Sequence, residues 1–197
     1  MEPDHLAVVG ETLEAAVAAV EAALGVAMGP GGRHALFGTH NRLLGLAGGM
    51  YLEAIAIDPA APPPGRARWF GLDRFAGPAR LGAWICRVDD MGRAPAAAGR
   101  PVELARGDLR WTMAVPDDGV LPFDGMFPAL IRWHGALHPA SMLAPSGCAL
   151  RRLVVAHPQA AALRAALPGF ADARVVIEAG APGLMAEIDT PHGLRRL

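Results

Sequence analysis

The stretch GGRHALFGTHNRLLGLAGGMYLEAIAID, residues 31–58, decides how the chain is read. It places His34, His40, Asn41, Tyr51 and Glu53 among strand-like apolar runs punctuated by glycines. Unpartnered polar side chains are costly inside apolar strands, so these residues ask for a shared pocket wall. The Gly48-Gly49 pair suits a hairpin turn between Asn41–Leu46 and Met50–Ile57, and a further strand is expected over His34–Thr39. The proline-rich segment Pro59–Pro64 stops the run.

Upstream, DHLAVV (residues 4–9) alternates as a strand, with Leu6 and Val8 on one face and His5, Ala7 and Val9 on the other. Thr12 is placed to cap a helix, with Glu14 in its first turn and Gly25 at its end. Leu13, Ala16, Val17, Val20, Ala23 and Leu24 give that helix a buried face. It should cover Leu6 and Val8, leaving His5 to point into the opposite, concave side with Glu53. Together these elements make a β-α-β-β-β unit over residues 4–58.

A second unit of the same layout is expected over residues 81–134, after a short helix around Trp69 and Phe70. It has a strand at Leu81–Val88, a short helix from Met91 to Ala98 capped by Asp89-Asp90, a hairpin of Pro101–Ala105 with Leu109–Val115, and a strand at Met126–Trp133. The C-terminal third, residues 141–197, reads as a partial third unit packed on the two-module domain of residues 1–140. It comprises a strand at Leu150–Ala156, a helix opened by Pro158, and a hairpin of Arg174–Glu178 with Leu184–Ile188. The fold class is therefore α+β: paired β-α-β-β-β modules forming a cup-shaped mixed sheet, with a C-terminal β-α-β-β extension.

Bulk properties narrow the function. A net charge of -1, from 18 basic and 19 acidic residues, gives no basic stripe for nucleic acid. Hydrophobic content of 52% argues for a packed core, yet no apolar run approaches the roughly 20 residues of a membrane helix. MEPDHLAVV is acidic and lacks a signal-peptide layout. Cys86 and Cys148 have no metal-ligand spacing and read as reduced, buried thiols of a cytoplasmic protein. Ser146-Gly147 lacks the pattern of a hydrolase elbow, and the Pro30–Gly32 turn is not a phosphate loop.

DHLAVV, the amphipathic helix, and the GTHN and YLE strands together resemble the glyoxalase-like domain of the vicinal oxygen chelate superfamily. The resemblance is strongest over residues 4–59. It implies two modules curled into a cup, in which His5 and Glu53 occupy the positions of metal ligands on the first and last strands. The implied cofactor is a divalent metal (Zn, Mn, Fe, Ni or Mg). Module two departs from the pattern: overlaying AWICRVDD on DHLAVVGE puts Trp84 at the position of His5, and MFPALIRWHG offers no carboxylate. Either His34, His40, His134 or His138 completes the ligand set, or the cup binds an organic ligand without metal, with His5 and Glu53 as an acid–base pair.

Strand alternation selects His34 and Asn41 over His40 as wall residues. Trp84, Trp133 and Arg132 are candidates for an aromatic wall with a cation that holds a substrate carboxylate or carbonyl, although Arg132 and Trp133 alternate in face. His138, held extended before Pro139, is placed for a lid at the cup's mouth. The resulting expectation is a small-molecule enzyme of isomerase, lyase or dioxygenase type acting on vicinal oxygens. The alternative is a non-catalytic protein that sequesters a hydrophobic or aromatic compound. A homodimer formed through the third unit is a further alternative.

Overall fold

The computed structural model describes residues 1–197. DHLAVV lies in strand β1 (Glu2–Val9), followed by helix α1 (Leu13–Leu24). Thr12 caps α1 by accepting the Ala15 N–H at 3.1 Å, and Gly25 ends it in the left-handed conformation (φ 70°), where glycine carries no Cβ penalty. Ala16, Val20 and Leu24 are buried as α1 packs across the module-one sheet. That sheet contains β2 (Arg33–His34), β3 (Thr39–Leu46) and β4 (Met50–Ile57). The strand expected over His34–Thr39 is a hairpin instead, because His34 pairs with Thr39 and Gly38 turns at φ 57°. The fully buried Phe37 anchors the turn by stacking on Trp69 at 4.0 Å.

Module two contains β5 (Arg80–Arg87), β6 (Arg100–Arg106), β7 (Leu109–Val115) and β8 (Ala129–Trp133). Its expected helix is absent. Met91–Arg93 and Ala96–Ala98 form two 3-10 turns, since the proline at 95 and the extended Ala94 before it interrupt any α-helix. Trp69–Arg74 is likewise a kinked 3-10 segment, with Phe70 and Gly71 both at positive φ. The strand expected from Met126 begins only at Ala129, because Pro128 has no N–H to give the ladder.

Both modules have the same internal order. β1 pairs in parallel with β4, which pairs with β3, which carries β2; β5 pairs in parallel with β8, which pairs with β7, which pairs with β6. Antiparallel pairing of β1 with β5 joins the modules into one sheet. Helix α2 (Pro139–Met142) leads into the third unit: β9 (Pro145–Ala156), α3 (Ala160–Ala165), β10 (Val175–Glu178), β11 (Gly183–Thr190) and β12 (Gly193–Arg196). The hairpin expected here does not form. β9 lies between β10, to which it is parallel, and β11, to which it is antiparallel, so the fully buried Leu153 and Val155 are covered by strands on both sides. The start of β9 pairs with β3, extending a single 12-stranded sheet. No helix is long and apolar enough to cross a membrane. Cys86 and Cys148 are free and buried, and burial pushes the Cys86 thiol well above its ordinary range.

Candidate functional site

Residues on one face of an antiparallel or parallel pair stand opposite each other, so the register names the concave face directly. His5 lies opposite Tyr51, Ala7 opposite Glu53 and Leu43 opposite Glu53. His5, Tyr51, Glu53, Leu43 and Asn41 thus line one side of a narrow pocket with a cavity volume of about 30 Å³, which an organic ligand enters only as the lining side chains move apart. Module two supplies Trp111, Met113, Ile131 and Trp133, and the segment between modules adds Trp69 and Phe70. His34 and Arg106 complete the walls.

A bulge in β1 shapes the end of the pocket at His5. Pro3 pairs with Cys86 and His5 with Ile85, so Asp4 is the extra residue and turns to the same side as His5. Asp4 is fully buried and accepts three hydrogen bonds: from His5 Nδ1 (2.6 Å), Trp133 Nε1 (3.1 Å) and His138 Nε2 (3.0 Å). The backbone N–H of Ala140 donates to His138 Nδ1, so His138 carries its proton on Nε2 and gives it to Asp4. Burial pushes the Asp4 carboxyl up, but the hydrogen bonds from His138 and His5 outweigh it and hold the group well below the usual carboxylate range.

Ionised Asp4 fixes the proton of His5 on Nδ1 and leaves Nε2 free to face the pocket. The imidazole is clamped flat against Tyr51, with ring centroids 4.2 Å apart and planes 12° from parallel. Its Nε2 stands 3.7 Å from Glu53 Oε2, too far for a direct hydrogen bond.

Asn41 organises the opposite side. Its Nδ2 donates to Glu53 Oε1 at 2.5 Å, while its Oδ1 accepts from Gly32 N at 2.7 Å and Arg106 Nη1 at 3.3 Å. The amide is therefore a spacer that contacts carboxylate and guanidinium at its two ends, and no ion pair forms between Glu53 and Arg106. His34 Nε2 lies 3.3 Å from Arg106 Nη1 and its Nδ1 lies 3.1 Å from Thr39 Oγ1. Since a guanidinium only donates, Nε2 is the acceptor and Nδ1 bears the proton. Burial, then the Arg106 charge, lowers the His34 pKa to about 3, so the ring is neutral at pH 7.

Neutral burial of His34 carries a stability consequence. The unfolded chain binds a proton at this histidine below about pH 6.5 while the folded chain does not, so stability falls as pH falls through that window. Between pH 6 and pH 5 the wild-type protein is expected to lose about 1 kcal/mol more than His34→Gln, which does not titrate. Urea unfolding at the two pH values reads the difference, and parallel losses in both proteins would refute it.

The structure brings His5, Glu53, His34, Asn41 and Trp133 around one pocket and puts His138 behind His5, on Asp4 rather than at a lid. Two expected wall residues lie elsewhere. Trp84 stands opposite Leu6 and therefore faces away from the cup, fully buried with its indole N–H on Met126 O at 2.8 Å. The linear overlay of β5 on β1 misplaced it because it ignored the antiparallel register. Arg132 alternates away from Trp133, stands opposite Thr112 and is exposed. The pocket's guanidinium is Arg106, at the end of β6. Asp4 and Trp69 were also outside the expected set. An acidic residue beside His5 inside an apolar strand was the one signal available for Asp4.

The donors do not fit a resident metal ion. His5 Nε2 and Glu53 are two ligands where a protein-held divalent ion normally takes three or more, and no group of three His, Cys, Asp or Glu side chains is arranged to hold a metal ion, Asp4 and His138 being engaged with each other behind His5. The module-two wall is apolar at Met113, Ile131 and Trp133. His40 lies on the outer side, and His134 sits on Thr112 and Glu103.

A family model for the glyoxalase-like domain matches residues 4–170. Among solved structures, a hypothetical protein from Staphylococcus aureus is similar at a TM-score of 0.57 and 14% identity, over 83% of this chain and 72% of that one. Methylmalonyl-CoA epimerase from Mycobacterium tuberculosis is similar at a TM-score of 0.44 and 18% identity, over 71% of this chain and 91% of that one. The Streptomyces coelicolor methylmalonyl-CoA epimerase, solved with 2-nitronate-propionyl-CoA, gives a TM-score of 0.45 and 14% identity over 70% and 99%. No curated protein matches the sequence.

Proposed function

The chain belongs to the glyoxalase-like domain family, and from that premise we propose that it is a small-molecule enzyme moving a proton on a substrate with neighbouring oxygens. The reaction is of isomerase or lyase type, with His5 and Glu53 as the acid–base pair. The observation that carries this reading is the line Asp4–His5···Glu53 along one wall of an apolar pocket, faced by Arg106. In the proton-transfer step a substrate C–H bond breaks, its electron pair moves onto the adjacent carbonyl oxygen, and His5 Nε2 gains the proton. Asp4 offsets the imidazolium charge that forms, as a buried carboxylate does behind any catalytic histidine. Glu53, within 3.7 Å of Nε2, borders the path by which the proton returns to the neighbouring atom. Arg106, the one permanent cation in the pocket wall, supplies a preorganised positive charge to the anion that forms.

The dioxygenase type asks for a redox metal on three protein ligands, and the pocket supplies two. The two buried free thiols suit a reducing, cytoplasmic setting. The test is exchange of carbon-bound hydrogen in D2O, followed by proton NMR over α-hydroxy ketones and enolisable 2-oxo acids. His5→Gln removes the imidazole that takes the proton, and is expected to lower exchange by about 10²–10⁴-fold. The walls Trp69, Trp111 and Trp133 favour one second reading, a non-catalytic binder of aromatic compounds. Tryptophan quenching by such compounds with no exchange above the uncatalysed rate would establish that reading and sink the enzyme.

A further inference from the structure

Two side chains of the pocket wall are incompletely satisfied within the protein: Arg106 has no counter-charge and Trp69 has an unpartnered N–H. Arg106 is half-buried and makes no ion pair. Its polar contacts are Nη1 to His34 Nε2 and to Asn41 Oδ1, both 3.3 Å and both through the same nitrogen. Trp69 is 4% exposed and lines the same pocket, and its buried Nε1 has no hydrogen-bond partner. A buried N–H left unpaired costs free energy that a ligand acceptor would recover.

These donors converge on His34. Its ring meets Trp69 edge-on at 4.9 Å between centroids, and its Nε2 meets Arg106. Being neutral, His34 adds no second cation, so Arg106 is the one permanent positive charge among the lining side chains. Glu53 does not quench it, because the Asn41 amide holds the two apart.

We propose that Trp69 Nε1 and the Arg106 guanidinium form an anion subsite that takes the carboxylate of a flat, apolar 2-oxo or 2-hydroxy acid, with the body of that acid lying against the contacting pair Trp111 and Trp133 and facing Phe70. This rests on the proposed use of the pocket as a substrate site and names its substrate class. The guanidinium grips a carboxylate through paired N–H donors, and the indole adds a third. A carboxylate held there lies one amide's width from Glu53, which brings the adjacent oxygen-bearing carbon toward the His5–Glu53 gap. The aromatic walls supply flat contact area for an aryl or similar remainder.

The probe is phenylglyoxylate, which carries two adjacent oxygens but no removable C–H, so binding is read apart from chemistry. Its methyl ester has the same body without the charge. Isothermal titration and tryptophan quenching are expected to show the acid binding wild-type protein at least about tenfold more tightly than the ester. Arg106→Gln should abolish that preference while leaving ester binding within about twofold. Trp69→Phe keeps the ring stacked on Phe37, removes the N–H, and should weaken the acid by about three- to tenfold. Glu53→Gln should bind the acid no more weakly than the wild type does.

Equal binding of acid and ester, an unchanged acid Kd in Arg106→Gln, or no acid binding at millimolar concentration would each overturn the subsite. Tight, charge-dependent binding of the acid with no exchange on any enolisable substrate would instead remove the enzyme reading and leave the subsite standing.

Discussion

Asp4→Asn is expected to cut substrate proton exchange by about 10²–10⁴-fold while the chain still folds. The carboxylate accepts from three donors, with His5 on one oxygen and Trp133 and His138 on the other. An asparagine has the same shape but one acceptor oxygen, so its NH2 must meet at least one of these N–H groups head-on. If the NH2 faces His5, the imidazole shifts its proton to Nε2 and ceases to be a base toward the pocket. If it faces the other pair, Trp133 and His138 lose their acceptor. Either outcome removes the charge that stabilises an imidazolium.

The same change should cost about 1–3 kcal/mol of stability at pH 7, since a buried donor is left unpaired. The pH dependence has a definite sign. Asp4 is held below its unfolded range, so its stabilisation is complete above about pH 4 and is lost as pH falls through the folded value. Wild type should therefore lose stability more steeply than Asp4→Asn on acidification below pH 4. Exchange kinetics and urea unfolding at pH 7 and pH 3.5 check both parts, and activity within threefold of wild type would remove Asp4 from the mechanism.

Gly31→Ala, in the loop behind the pocket residue Asn41, should be strongly destabilising for a single added methyl, at about 3 kcal/mol. A Cβ at Gly31 would stand 1.9 Å from the Asn41 carbonyl oxygen and 2.7 Å from Asn41 Oδ1. Neither neighbour is a flexible side-chain end: the first is the backbone of β3 and the second is the acceptor for Gly32 N. The chain must move apart, and Asn41 then loses its hold on the loop while Glu53 loses its donor. For a chain of this length the melting temperature should fall by roughly 6–12 °C.

Gly48→Ala is the control. Its φ of 74° strains any other residue, yet nothing lies within 4 Å, so the cost should be near 1 kcal/mol. Similar losses in the two variants, measured by calorimetry, would show that the contact at Asn41 relaxes freely.

The periodicity of residues 4–58 was enough to place the first helix, the Gly48-Gly49 turn and the concave-facing positions of His5 and Glu53 on their two strands, because period and capping are local properties. Family resemblance over the same residues carried the paired-module layout, and the parallel order of both modules agrees with it. Local patterns failed where neighbours in space decide. Alternation alone separates Asp4 from His5; a bulge, visible only in the pairing of β1 with β5, puts both on the pocket side. Trp84 and Arg132 have the chemistry of pocket residues, yet register turns them away and gives the cationic role to Arg106, a residue that in sequence only marks the end of a hairpin strand. Three of the four strands of the third unit were legible, all but β12, but which of them lies in the middle was not, since pairing is fixed by burial on both sides of β9 and not by any residue within β10 or β11. The sequence by itself determined where the strands are and which residues could do chemistry. Only the tertiary structure decided which of them face one another, because strand register and bulges are set by contacts between segments far apart in the chain.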